Sequence, residues 1–295
     1  MNEFKAYHPM VNFIYFVFVI GFSMFFMHPV CLLISLVCAF SYSVLLKGKK
    51  AIRTNLSYML PMMLATAIIN PAFNHAGVTI LTYLPGGNPL TLESIYYGFA
   101  AATMLVSVIC WFSCWNEVMT SDKFIYLFGR IIPSLSLILS MTFRFVPKFS
   151  AQLKVVTNAQ RCMGRDIASG GILHRAKCGI QILSIMITWS LENAIETADS
   201  MKSRGYGIPG RTAFSIFTFD KRDQKALLVI LLLGCYILCG KLLGAMEFLY
   251  FPKIQTHEPS VFGISLFFAY LILCIYPVII EIREVRKWNA IKSKI

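Results

Sequence analysis

Long apolar runs are the feature that most constrains how this chain can fold. A helix needs about 20 mostly apolar residues to cross the hydrocarbon core of a bilayer, and several runs here approach or reach that length. Only 14% of the 295 residues are charged, whereas a soluble domain is usually about one quarter charged. Because peptide groups find no water inside a bilayer, each run is predicted to be a helix. The sequence therefore predicts an all-α, polytopic membrane protein.

The predicted transmembrane helices number about six and fall into two groups separated by a charged insert. They are Val11–Met27, Val30–Leu46, Leu56–Phe73, Ile95–Trp115, Ala226–Gly244 and Val261–Glu281. The first run starts late and lacks a small-residue cleavage site, which favours a spanning helix over a secretory signal. We therefore predict transmembrane helices 1–4 in residues 1–120, a cytoplasmic domain of long amphipathic helices in residues 121–225, and helices 5–6 with a basic tail in residues 226–295.

The placement of basic residues predicts the orientation in the membrane. The net charge is +13, and an excess of Lys and Arg marks cytoplasmic loops. Lys47, Lys49 and Lys50 follow the second run, whereas the loop Asn74–Ser94 contains no Lys or Arg. The tail after Arg283 is again basic. This pattern predicts a multi-pass protein of the plasma membrane with its N- and C-termini in the cytoplasm.

The insert between the fourth and fifth predicted spans is predominantly basic. From Arg144 to Arg211 it contains ten basic and four acidic residues. Ile131–Val146 is apolar but bracketed by prolines, and Cys178–Leu191 has 14 residues, too few for an ordinary span. Both stretches are predicted to lie along the inner membrane face or to pack on each other.

Two amphipathic helices are predicted within the insert, each ending beside a glycine. In Leu191–Arg204 apolar residues recur every three or four positions, and Gly205 follows. Phe149–Met163 shows a similar pattern and is followed by Gly164. A guanidinium held at a helix end suits bidentate pairing with a carboxylate of a partner. A simpler interpretation stays open, namely that the basic residues face water and anionic headgroups.

The sequence around these helix ends resembles a known family. The run Ala198–Tyr206, ADSMKSRGY, is similar to the second signature of the transmembrane T component of energy-coupling factor (ECF) transporters. Pro133–Pro147, followed by Ala159-Gln160-Arg161, resembles the approach to the first signature. In that family the signatures are usually Ala-Arg-Gly-like triplets at the ends of two coupling helices. Their arginines meet acidic residues of two ABC ATPase subunits.

The two triplets of this chain differ in how well they match that pattern. The second is Ser203-Arg204-Gly205, whereas the first is Cys162-Met163-Gly164, with methionine where arginine is expected. Arg161 and Arg165 are the candidates to supply the missing charge. The resemblance implies an ATPase-coupling set of Ser203, Arg204, Gly205, Arg161, Cys162, Met163, Gly164 and Arg165. It also implies a membrane-embedded substrate-binding S component, for which we predict an apolar seat of Leu183, Met186, Ile187 and Met201.

Together these features predict the transmembrane energy-coupling subunit of an ECF-type ABC importer for a vitamin or metal-ion micronutrient. The substrate is not specified here, because in such systems the S component selects it. The run Gly234–Lys241 lacks the spacing of a phosphate loop, and the histidines are isolated. We therefore predict a subunit without catalytic activity, cofactor, metal or nucleic-acid partner. The alternatives are a stand-alone secondary transporter and an intramembrane enzyme.

Overall fold

The computed structural model describes residues 3–83, 88–129, 133–206, 208, 217–256 and 260–292. Helices dominate this part of the chain, so the predicted all-α class is confirmed. The chain forms two compact units: unit 1 comprises Met1–Lys123 and Phe217–Ile295, and unit 2 comprises Phe124–Ile216. The division into three segments inferred from the sequence stays a prediction.

The helices and strands follow one another in a simple order. They are α1 (Pro9–Phe25), α2 (Pro29–Lys47), α3 (Lys49–Phe73), β1 (Ile80–Tyr83), β2 (Pro89–Thr91), α4 (Leu92–Val118), α5 (Ser121–Gly129), α6 (Pro133–Cys162), α7 (Ile172–Ser203), α8 (Lys221–Leu242), β3 (Phe248–Leu249), β4 (Gln255–Thr256) and α9 (Val261–Lys292). A short 3-10 helix, Phe4–Ala6, precedes α1. The strands form two short antiparallel hairpins, β1 with β2 and β3 with β4.

Six helices of the described residues are long and apolar enough to cross a bilayer, which makes this a multi-pass membrane protein. Five of them, α2, α3, α4, α8 and α9, coincide with predicted spans. The sixth is α7, whereas α1 has only 17 residues. At about 1.5 Å per residue α1 reaches about 26 Å, close to the lower limit for a span. The six candidate helices thus include α7 in place of the predicted first span, Val11–Met27.

The core of unit 1 is built around α1 and is rich in aromatic side chains. Tyr15 of α1, Trp111 of α4 and Tyr270 of α9 are fully buried in one cluster. Several polar atoms within this core are paired: Ser23 Oγ lies 2.6 Å from Ser35 Oγ, and Trp111 Nε1 donates to Ser35 Oγ at 3.0 Å, whereas the buried Tyr42 hydroxyl has no hydrogen-bond partner among the described residues. An unpaired polar group in hydrocarbon is costly, so these bonds allow polar side chains inside the helix bundle.

Two His-Pro pairs begin the first two long helices. His8 and His28 each accept a hydrogen bond at Nδ1 from the backbone N–H two residues later, at 3.3 Å in both cases. Pro9 and Pro29 then occupy the first helical position, where a missing N–H costs nothing. The repeated pair sets where α1 and α2 start.

The N-terminal segment, residues 3–8, is attached at both places where the chain passes between unit 1 and unit 2. On the outgoing side, Lys123 donates from Nζ to the carbonyl of Lys5. On the returning side, the ring of His8 packs edge-on against Phe219, with ring centroids 4.9 Å apart. Residues 3–8 therefore contact unit 1 at both places where the chain leaves it or returns to it.

Unit 2 contains two long continuous helices where the sequence predicted shorter pieces. The predicted break between Ile131–Val146 and Phe149–Met163 is wrong, because Pro147 lies inside α6. Proline removes one backbone donor, but Phe145 and Phe149 on either side pack edge-on at 6.2 Å and continue the helix. Helix α7 runs without a break from the predicted apolar stretch, Cys178–Leu191, into the predicted amphipathic helix, Leu191–Arg204. No glycine or proline stands between residues 180 and 203 to interrupt it.

The contacts between α6 and α7 define an antiparallel pair with a small core. Lys148 Nζ donates to Asn193 Oδ1 at 2.6 Å, and further along α6 the buried Val156 clusters with Ile182 and Met186, which come earlier in α7. Later positions of α6 thus meet earlier positions of α7. These contacts join the apolar stretch Cys178–Leu191 to the later part of α6, so the packing predicted between Ile131–Val146 and Cys178–Leu191 stays a prediction.

Candidate functional site

Helix α6 ends in a Schellman motif. Gly164 has φ +78°, in the left-handed region that glycine adopts without strain. The N–H of Gly164 donates to the carbonyl of Arg161 at 3.0 Å, and the N–H of Arg165 donates to the carbonyl of Gln160 at 3.0 Å. This pair of bonds satisfies two carbonyls that the helix end would otherwise leave without partners.

Helix α7 ends in the same motif, bond for bond. Gly205 has φ +73°. Its N–H donates to the carbonyl of Lys202 at 2.9 Å, and the N–H of Tyr206 donates to the carbonyl of Met201 at 3.1 Å. The two triplets are therefore equivalent in backbone position, with Cys162, Met163 and Gly164 at one end matching Ser203, Arg204 and Gly205 at the other.

The side chains at the end of α6 do not place a guanidinium at the cap position. Met163 occupies that position and is 60% exposed. Arg161 Nε lies 3.3 Å from Asp166 Oδ2, so this guanidinium is paired with the loop that follows. Cys162 and Arg165 are exposed. An apolar side chain flanked by two arginines is therefore what this end offers to a partner.

The end of α7 presents a different surface. Ser203 Oγ donates to the carbonyl of Ser200 at 2.9 Å, which fixes the hydroxyl against its own helix. Arg204 holds the cap position with its side chain exposed, and Gly205 is half-buried beside it. A guanidinium on a closed helix end has a defined direction, which suits bidentate pairing with a carboxylate or phosphate.

The two caps lie at opposite ends of the antiparallel pair. From the contact between Lys148 and Asn193, α7 continues for about 16 Å to Arg204. From the same contact, α6 continues in the opposite direction for about 22 Å to Met163. The predicted coupling residues thus form two separate sites, roughly 40 Å apart along the pair.

A cavity of about 560 Å³ lies between α6 and α7 on the side of Arg204. Its lining combines charged, hydroxyl and apolar side chains from both helices. We call it the basic groove, and its lining residues are Leu137, Ser140, Met141, Arg144, Phe145, Lys148, Asn193, Glu196, Thr197, Ser200, Met201, Arg204 and Tyr206. Sequence reasoning missed Arg144 and Lys148 as site residues. Their signal was a basic pair four positions apart, which places both on one helix face.

The residues predicted to seat an S component do not all face outward. Leu183 is 58% exposed, and Ile187 is exposed beside it. Met186 is only 8% exposed, because it packs in the core of unit 2 against Val156. Met201 is half-buried and lines the basic groove.

Among the described residues there is no cluster of three or more His, Cys, Asp or Glu side chains that could hold a metal ion. All nine cysteines are free thiols, and the exposed Cys162 is the one that belongs to a predicted site.

Comparison with known proteins identifies relatives for part of this chain. It is 37% identical over 103 residues to the energy-coupling factor transporter transmembrane protein EcfT of Lactobacillus helveticus, which covers 35% of this chain and 37% of that protein. It is 31% identical over 108 residues to EcfT of Streptococcus equi subsp. equi, covering 36% and 40% of the two chains. The EcfT protein of Bacillus selenitireducens is 31% identical over 111 residues, covering 37% and 41%.

These matches confirm the resemblance to the T component over about a third of the chain. The chain spans about two fifths of the length of these relatives. No family model matches it.

Proposed function

We propose that this chain, which is related over about a third of its length to the transmembrane protein EcfT, is the energy-coupling subunit of an ECF-type ABC importer. In this proposal two ABC ATPase subunits bind the ends of α6 and α7. Closure of the ATPases on ATP moves these ends, and the motion makes a membrane-embedded S component reorient and release a vitamin or metal-ion micronutrient. The chain itself has no catalytic role.

The observation that carries this proposal is the pair of equivalent helix caps. A single docking partner would need one such end, whereas two partners need two ends that are far apart. The Schellman motifs at Gly164 and Gly205 provide two ends of the same backbone shape, roughly 40 Å apart. Helices with a small shared core can also slide against each other with small side-chain changes, which suits a moving part.

The two ends bind their partners by different chemistry in this proposal. At the end of α7, Arg204 pairs with a carboxylate of one ATPase subunit. At the end of α6, Met163 contacts the other subunit from the position that Arg204 holds at the end of α7, while Arg161 and Arg165 supply charge on either side. The methionine therefore makes the first contact more apolar than the second.

The orientation follows from the charges. Helix α7 as a whole is long and apolar enough to cross a bilayer. We propose that it nevertheless lies along the cytoplasmic face of the plasma membrane, because its uncharged stretch, Cys178–Leu191, has only 14 residues and charged residues flank it. Both termini and unit 2 are then cytoplasmic, and the loop Asn74–Ser94 is outside. Leu183 and Ile187 are the exposed part of the apolar seat for the S component in this arrangement.

Charge reversal at Arg204 tests the proposal. We expect Arg204→Glu to reduce co-purification of ATPase subunits strongly, because losing one partner of a buried charge pair costs about 2–5 kcal/mol. Lys154→Glu is the matched control, since Lys154 is exposed on α6 away from both caps. Tagged variants are purified from the native membrane, and bound ATPase is quantified by mass spectrometry.

Equal retention of ATPase by both variants, or no ATPase with the unmodified chain, would contradict the proposal. The second outcome is also what a stand-alone transporter or an intramembrane enzyme predicts. The sequence also predicts a smaller effect for Arg211→Glu, but Arg211 lies outside the described residues.

Restoring arginine at the first cap tests the equivalence of the two ends. We expect Met163→Arg to retain at least the normal amount of ATPase, because the new guanidinium takes the backbone position that Arg204 holds at the other end. Met163→Glu is the control, and it should lower retention. A loss with Met163→Arg as large as that with Met163→Glu would show that the α6 end requires an apolar residue.

A further inference from the structure

The basic groove combines positive charge with hydrogen-bond donors in an enclosed space. Arg144 and Lys148 come from α6 and Arg204 from α7, and Glu196 is the one carboxylate among the lining residues. Three cations against one carboxylate leave the lining positive. Such a surface is electrostatically complementary to an anion.

Lys148 is held in place inside this groove. Its Nζ donates to Asn193 Oδ1 at 2.6 Å and lies 5.4 Å from the centre of the Trp189 ring. An ammonium group has three donors, so the contact with Asn193 orients the side chain while leaving donor capacity for a ligand. A cation fixed in this way loses less conformational entropy when it binds an anion.

The rest of the lining suits the part of a lipid where a polar headgroup meets its chains. Hydroxyl groups come from Ser140, Thr197, Ser200 and Tyr206. The remaining lining is apolar and is provided by Leu137, Met141, Phe145 and Met201. A volume of about 560 Å³ is in the range of a site for a small molecule or a headgroup.

Large apolar side chains are also exposed on the same two helices, on faces that point away from the groove. Ile138 and Val146 of α6 and Leu191 and Ile195 of α7 are each more than half exposed. Exposed apolar residues on basic helices are typical of helices that lie in a membrane interface. A purely acidic partner would pair with the cations but would leave the apolar lining of the groove without a partner.

We propose that the basic groove binds the headgroup phosphate of an anionic phospholipid, with Arg144 and Lys148 as its main ligands. The phosphate lies between these two cations, the hydroxyl groups of Ser140 and Ser200 donate to its oxygen atoms, and the acyl chains pass over the apolar lining of the groove. The main ligands of this site, Arg144 and Lys148, are not among the residues proposed to contact an ATPase, although Arg204 belongs to both sites. The lipid site adds a lipid ligand to a chain that is already shown to be a membrane protein.

Lipid retention during purification tests the proposal. The full chain is purified in detergent, mixed with equal amounts of phosphatidylglycerol and phosphatidylcholine, and analysed by native mass spectrometry. We expect retained phosphatidylglycerol to exceed phosphatidylcholine. In Arg144→Gln/Lys148→Gln this preference should fall by about five-fold for each removed cation, hence about 25-fold.

Two further variants separate a specific site from general charge and from misfolding. Lys154→Gln/Lys177→Gln removes two exposed cations outside the groove and should keep the preference. Arg144→Lys/Lys148→Arg keeps both charges and should keep most of it. Equal loss in the control and the groove variant, or loss in the charge-conserving variant, would overturn the proposal.

The remaining arms identify the ligand. Inorganic phosphate at millimolar concentration should leave phosphatidylglycerol bound, because it lacks the apolar chains. Complete displacement by phosphate would show a site for the free ion. A site for an acidic protein segment would show two results together. Without peptide, the chain would retain both lipids equally, and a poly-glutamate peptide would displace the bound lipid. Either result overturns the lipid assignment.

Discussion

The two units of this protein differ in the size of their buried apolar cores. In unit 1, Tyr15, Trp111 and Tyr270 are fully buried in a large aromatic core. In unit 2, the core cluster is small, and long apolar side chains such as Ile172 and Leu173 are almost fully exposed. Both units expose apolar surface that a membrane or another protein can cover, but only unit 1 has a large packed core of its own.

This difference indicates how each unit responds to force. A closely packed core has few alternative arrangements, and it resists deformation. A helix pair with a small core opens or slides at low energetic cost, because few buried contacts are lost. The contrast between the units is therefore the property that mutations should test first.

The largest effect is expected in the core of unit 1. Trp111→Ala removes a fully buried ring and its hydrogen bond to Ser35, which should cost about 3–5 kcal/mol. Trp288→Ala is the control, because Trp288 is 63% exposed on α9. Thermal unfolding in detergent measures both. Similar unfolding temperatures for the two variants would show that the packing of unit 1 contributes less than its burial indicates.

A smaller effect is expected in the core of unit 2. Met186→Ala should destabilise the α6–α7 pair by about 2 kcal/mol, at the low end for such a change because the cluster is small. Leu183→Ala, one turn away and exposed, should have little effect. Hydrogen exchange of amides in α6 and α7 should increase only in Met186→Ala, with unit 1 unchanged. Faster exchange in unit 1 as well would mean that the two units unfold as one.

Replacing the glycine of either helix cap with alanine should have a modest destabilising effect. Gly164→Ala and Gly205→Ala force a left-handed conformation on alanine, which costs about 1–2 kcal/mol. At Gly164 the added Cβ meets nothing within 4 Å, whereas at Gly205 it lies 3.1 Å from Ile208 Cδ1. Gly205→Ala should therefore reduce the helicity at its helix end slightly more. Equal amide exchange in the wild type and both variants would argue against these caps.

The smallest effect is a pH dependence in unit 1. Burial lowers the pKa of His8, nearby Lys123 lowers it further, and Asp223 opposes both. Protonation also removes the Nδ1 acceptor that caps α1. Because the folded-state pKa lies below the usual value of about 6.5, the unfolded chain binds this proton more readily. The stabilising effect is therefore present above about pH 6.5 and is lost as the pH falls through the folded-state pKa.

His8→Asn checks this dependence because asparagine can cap a helix without titrating. The variant should lose less thermal stability than the wild type between pH 7 and pH 5, a difference of less than about 1 kcal/mol. Parallel curves for the two proteins would show that another group titrates instead. His28 begins α2 in the same way and serves as the comparison site.

The sequence was most informative where hydrophobicity alone decides the structure. Five of the predicted spans coincide with candidate membrane-crossing helices, because length and hydrophobicity are enough to predict that a span exists. Of these five, only α2 and α4 agree with both predicted limits within three residues, whereas α3 begins seven residues earlier and α9 ends eleven residues later than predicted. The helix ends at Gly164 and Gly205 were also predictable, since glycine is the residue that adopts the left-handed cap conformation.

The sequence was less informative about continuity and about which residues meet. Pro147 suggested a helix boundary, yet α6 passes through it, and Phe145 and Phe149 pack edge-on across that point. The pairing of Lys148 with Asn193 depends on the antiparallel contact of two helices, and no local pattern encodes it. The basic groove follows from that contact and could not be read from either helix alone.

The shared anchoring of Lys123 and Phe219 on residues 3–8 has a mechanical consequence. Any tension carried along the backbone into or out of unit 2 enters unit 1 next to one of these two residues. Residues 3–8 lead directly into α1, so a displacement at either of these two contacts also reaches the start of the first long helix.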